Sequence, residues 1–119
     1  MAKLIAAIAG AALLLVVGVT SAWAATPKLV GTVGPGYTIS LKKAGKKVTT
    51  LKAGKYTFVI ADKAPIHSFS LDGPNGLAKT LTTVPFKGQK SVTMTLKKGS
   101  YKFYCEAHES TMFGKFKVS

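Results

Sequence analysis

The chain has 119 residues and a formal net charge of +13, from 17 basic residues against four acidic ones. Every basic residue is a lysine, so the arginine forks that read bases and phosphates are missing, and nucleic-acid recognition is set aside in favour of a lysine-coated surface suited to acidic partners or anionic headgroups. A single cysteine excludes an intramolecular disulfide.

The first residues carry a targeting pattern. Lys3 supplies a short positive region, residues 4–19 are apolar apart from glycines, and Ala22-Trp23-Ala24 fits a small-x-small cleavage box. Residues 1–24 are read as a signal peptide, with an uncleaved membrane anchor as the alternative because a span needs about 20 apolar residues. Both readings put the protein outside the cytoplasm: periplasmic, secreted, or held at the outer face of a membrane. An unpaired thiol in that oxidising compartment is open to irreversible oxidation unless something occupies it.

The remaining 95 residues suffice for one small domain. Residues 25–36 read as a Gly/Pro-rich lead-in and 37–119 as the folded domain. Eight short alternating segments follow, at 37–41, 48–51, 56–61, 66–71, 77–81, 91–96, 101–105 and 113–118. Turn signals rich in Gly, Pro, Asp and Asn separate them, and no window has sustained helical periodicity. The expected fold is an all-β Greek-key β-sandwich of about eight strands. One pattern occurs twice, Leu51-Lys-Ala-Gly-Lys-Tyr-Thr-Phe58 and Leu96-Lys-Lys-Gly-Ser-Tyr-Lys-Phe103. Both copies read as a tight turn feeding a strand whose Tyr and Phe share a face.

Alternation then orients the rarer side chains. Tyr101, Phe103 and Cys105 share one face, so the thiol follows the aromatic stripe. His67, Phe69 and Leu71 share another inward face, with Ser68 and Ser70 expected opposite. Met112 is in phase with Phe116 and Val118, and His108 lies three residues beyond Cys105 in the loop before the last strand. The candidate site is therefore one thiol, two imidazoles and one thioether: Cys105, His67, His108 and Met112. Soft sulfur with imidazole suits copper, and two histidines, a cysteine and a weak axial methionine form a blue-copper electron-transfer set; zinc accepts thioether poorly. A Cys-His nucleophile pair is the enzymatic rival, but it has no orienting third group and no Gly-rich oxyanion turn.

These residues carry a family resemblance. Through "IHSFSL" and "YKFYCEAHESTMFGKFKV", and through the length and strand pattern of the whole domain, the chain resembles a small secreted cupredoxin of the plastocyanin, pseudoazurin and amicyanin type. The resemblance implies an eight-stranded sandwich with one copper ion at one end. His67 is then the upstream ligand, Cys105 the thiolate, His108 the surface imidazole through which electrons pass, and Met112 the axial donor. The chain departs from that pattern at Ala107, where proline is usual, at Ser68, where asparagine is common, and at Glu106 and Glu109, which bracket His108. The expected function is electron carriage as a monomer, without enzymatic activity, to a partner with an acidic docking surface. Copper delivery without electron transfer is the alternative, and a metal-free secreted sandwich that binds acidic polymer or a membrane surface is the third reading.

Overall fold

The computed structural model describes residues 25–119, so the targeting segment read at 1–24 lies outside the described residues. Ten strands follow in chain order: β1 Lys28–Val33, β2 Ile39–Lys43, β3 Lys46–Lys47, β4 Thr50–Leu51, β5 Gly54–Asp62, β6 Phe69–Asp72, β7 Ala78–Thr82, β8 Gly88–Leu96, β9 Gly99–Tyr104 and β10 Phe113–Val118. They form two five-stranded sheets, ordered β3-β2-β1-β5-β8 and β4-β10-β9-β6-β7. The all-β sandwich expected from the sequence is the fold, with two strands more than expected.

Each addition has an identifiable cause. One is β3, which falls between the segments expected at 37–41 and 48–51 and pairs with β2 in one sheet; the 48–51 segment holds β4, which pairs in parallel with β10 in the other, so the chain changes sheets at Val48 and Thr49. The stretch read as a lead-in contains β1, which occupies the middle of its sheet, antiparallel to β2 and parallel to β5. Leu29 and Val33 are fully buried on its inner face. Between them Gly31 masks the alternation, and the packing requires it. A side-chain carbon there would stand 2.5 Å from Ile60 Cδ1 and 2.8 Å from Phe69 Cε2.

The core between the sheets is rich in aromatic rings. Phe69 stacks on Phe103 with centroids 5.6 Å apart, and Tyr101 stacks on Phe116 at 5.1 Å. The repeated sequence pattern proves to be one device used in both sheets. Tyr56 donates its hydroxyl proton to the Lys52 carbonyl and Tyr101 to that of Lys97, each at 2.6 Å and each four residues back. Gly54 and Gly99 open the two strands at φ of +155° and +150°, where a side chain is strained. Phe58 and Phe103 follow, both buried. Such tyrosine corners tie a strand's start to the turn that feeds it.

The corners define one end of the sandwich. To the other end β5 runs about 27 Å and the shorter β9 about 17–20 Å; there β5 stops at Asp62, β9 passes into Cys105, and β10 begins just after Met112. Every expected donor residue lies at that second end.

Candidate metal centre

Three of the four expected donors come from one loop locked by its own backbone. A 3-10 turn spans Glu106–His108. The Cys105 amide donates to the Met112 carbonyl at 3.0 Å, and the His108 carbonyl accepts the amides of Thr111 and Met112 at 3.1 and 2.8 Å. The loop's width is thereby set before any metal arrives. His67 sits in the turn after β5, its amide donating to the Ala64 carbonyl at 3.3 Å. His67, Cys105 and Met112 are all buried with no exposure, while His108 is half-buried.

The nitrogen and sulfur atoms face one another. The two Nδ1 atoms are 3.2 Å apart, and Cys105 Sγ lies 3.8 Å from that of His67 and 3.7 Å from that of His108. A triangle with these sides has its centre roughly 2.1 Å from every corner, which is the bond range of about 2.0 to 2.3 Å in which a first-row metal meets imidazole and thiolate. Three soft or borderline donors aimed at one bond length fit a copper ion of the two-histidine, one-cysteine type. Met112 is buried, and its backbone bonds both Cys105 and His108.

Beneath the thiol lies Ser68. Its amide donates to Cys105 Sγ at 3.3 Å, and its hydroxyl, 3.9 Å from the same sulfur, accepts the Glu106 amide at 2.8 Å. The sequence pattern placed Ser68 and Ser70 on an outer face, but both are buried. For Ser68 the reason is that β6 begins only at Phe69, so strand parity does not extend back to it; Ser70 lies within β6, opposite Thr80 of β7 and Tyr104 of β9. An amide aimed at the sulfur supplies a hydrogen bond of the kind that a metal-bound thiolate accepts.

Two further residues shape the site without having been singled out from the sequence. Tyr37, 63% exposed, stands edge-on to His108 with centroids 4.9 Å apart and to His67 at 5.5 Å, covering both imidazoles from the solvent side. With Ile66 and Phe113 it gives this end an exposed apolar rim. Asp62 is buried at the end of β5. Burial pushes its carboxyl above the ordinary range, opposed by the Thr82 hydroxyl, the Ala64 amide and the charge of His67. No motif marks Asp62, whose neighbours are brought in by the fold, whereas the Gly-Pro-Gly before Tyr37 announced a turn without saying what it would touch.

The comparisons with known proteins agree with this geometry. No curated protein matches the sequence. Among solved structures the fold is similar to a reduced amicyanin variant, at 17% identity over 78% of this chain and 83% of that one with a TM-score of 0.53. It is also similar to rusticyanin, described as a copper protein, at 22% identity over 79% and 78% with a TM-score of 0.50. The family model described as "Copper binding proteins, plastocyanin/azurin family" matches residues 37–119, which hold both sheets' strands from β2 onward and all four expected donors. The chain belongs to that family.

Proposed function

We propose that the protein carries single electrons between exported redox partners, with one copper ion held by His67, Cys105 and His108 and by Met112 as axial donor. The observation that carries this reading is the donor triangle, whose corners stand at one bond length from a common centre and are fixed by backbone hydrogen bonds. When bound, copper supplies a one-electron couple between its two oxidation states. The chain's part is to hold still. Cys105 offers a thiolate supported by the Ser68 amide, His67 is sealed from water, and the locked loop presents the same donors to both oxidation states. His108, half-buried under an exposed tyrosine, is the donor nearest solvent among the three and is the route by which electrons enter and leave.

The partner in this reading has an acidic face, drawn by lysines that outnumber acidic residues, while the apolar rim of Tyr37, Ile66 and Phe113 makes the close contact. The exported location rests on the targeting pattern at 1–24. Adding copper(II) to the purified protein and recording its visible spectrum and a redox cycle tests the function. Intense blue colour that bleaches and returns reversibly is the expected result. Weak colour lost quickly to a chelator would transfer the assignment to copper delivery. Exchange with an acidic partner should slow as salt rises, since the screening length falls from about 10 Å at 0.1 M to about 3 Å at 1 M. A rate indifferent to salt would remove the lysines from docking.

A further inference from the structure

Two buried side-chain atoms at the copper end have no hydrogen-bond partner, Asp62 Oδ2 and His67 Nε2. They are chemically complementary. A neutral imidazole that turns Nδ1 toward a metal carries its proton on Nε2, which is then a donor, and an ionised carboxylate oxygen only accepts.

They also belong to one turn. Asp62 Oδ1 accepts the Ala64 amide at 3.3 Å, and the Ala64 carbonyl accepts the His67 amide at 3.3 Å, so one residue fastens the carboxylate and the histidine backbone together. Gly34, at φ +72°, brings the chain over this turn without a side chain. A carbon placed on it would stand 3.0 Å from His67 Cδ2, the ring atom bonded to Nε2, and 3.7 Å from the Ala64 nitrogen that holds the carboxylate. The unpartnered edge of the imidazole and the anchor of the carboxylate thus surround a single point.

We propose that Asp62 is the residue that orients His67: its Oδ2 takes the Nε2 proton's hydrogen bond through one buried water, the two atoms not being in direct contact, and so holds Nδ1 toward Cys105 and His108. Metal-binding histidines commonly give their second proton to such a carboxylate, which fixes the tautomer and makes the imidazole a stronger donor. A stronger donor favours the oxidised ion. This role rests on His67 as a copper ligand and adds a positioning residue five positions upstream.

The test compares Asp62→Asn, which keeps an acceptor of the same shape and removes the charge, with Asp62→Leu, which removes both. Copper affinity, measured by competition with a chelator, falls about 10- to 100-fold in Asp62→Leu and is largely restored in Asp62→Asn. The reduction potential rises in both variants, toward the tenfold shift in redox equilibrium that about 59 mV represents. In the copper(I) wild type, ¹⁵N NMR shows His67 protonated at Nε2, with a proton slow to exchange with water. A purely structural Asp62 would cost stability through its Ala64 bond and leave affinity and potential at wild-type values, which overturns the proposal. A rapidly exchanging Nε2 proton overturns it as well. Should Asp62→Leu fail to fold, the Asp62→Asn potential and the wild-type NMR decide. Blue wild type with unshifted Asp62 variants sinks this inference alone, whereas colourless wild type sinks the ligand reading with it.

Discussion

The two ends of this sandwich are built on opposite plans. At the end where β5 and β9 begin, each strand is tied by a tyrosine hydroxyl to a backbone carbonyl, and lysines 43, 46, 47, 52 and 55 line an open cleft of about 640 Å³. At the end where those strands stop, polar side chains turn inward. The buried polar residues among those described are Asp62, His67, Ser68, Ser70 and Thr82, and all belong to the copper-end turn, to β6 behind it, or to the strand beside β6. The difference teaches a division of labour. One end satisfies its hydrogen bonds and stabilises the fold; the other leaves Asp62 Oδ2 and His67 Nε2 without protein partners, each a cost of about 1–3 kcal/mol when nothing else pairs them. A metal site can hold such groups because the scaffold at the far end does not depend on them.

The largest effect that would break this division comes from Cys105→Ser. A hydroxyl in place of the thiolate removes the soft donor while nearly conserving shape, so the intense visible band disappears altogether and the domain still folds. Full colour in Cys105→Ser would remove the thiolate from the site; loss of folding would show that the copper end is part of the scaffold. Next in size is Gly31→Ala, in the centre of β1, where the added methyl meets Ile60 and Phe69. Overpacking of this kind costs about 1–3 kcal/mol, measured by denaturant unfolding. An unchanged midpoint would mean that the two sheets can separate slightly at β1.

The comparison also explains what the sequence made legible. The loop from Cys105 to Met112 closes on itself through bonds spanning three to seven residues, so the meeting of Cys105 with His108 was legible from local sequence. The twofold Tyr-x-Phe pattern was legible for the same reason, because each corner spans only four residues. What stayed hidden depends on chain that is distant in sequence. β1 looked like a linker because Gly31 is explained only by Ile60 and Phe69, about thirty or more residues on. Ser68 looked outward because its true partner is Cys105, 37 positions away. Tyr37 meets His67 and His108 only once both sheets are assembled.

A smaller effect sharpens the copper end itself. In the proposed ligand set Met112 donates weakly, and a weak axial donor favours copper(II) slightly. Met112→Leu removes that donation and raises the reduction potential while the Cys105 colour persists. Stability is the control, since the swap conserves volume and costs less than about 1.5 kcal/mol. Met112→Gln offers a harder oxygen and lowers the potential, so voltammetry of the pair brackets the wild type. Two variants at the wild-type potential would make Met112 a packing residue only.

The smallest effects belong to the corner end, where Tyr56→Phe and Tyr101→Phe each remove one hydroxyl and keep the ring. Each deletes a bond of 2.6 Å and should lower stability by about 0.5–1.5 kcal/mol, with the reduction potential unmoved because the strands' full length separates the corners from the copper donors. Tyr101 has an additional signature. Burial raises its phenol above the ordinary tyrosine range, outweighing the opposing bond to Lys97. The unfolded chain therefore loses that proton first, and the tyrosine's contribution is complete below about pH 10 and declines as pH rises through the folded value. Lysines titrate in the same interval, so the quantity to measure is the difference between wild type and Tyr101→Phe in unfolding free energy from pH 8 to pH 11. The gap should narrow as the solution becomes more alkaline. A gap that stays constant would show the phenol to be as free to ionise in the fold as in the open chain, and a shifted potential in either variant would show that the two ends of the sandwich are coupled after all.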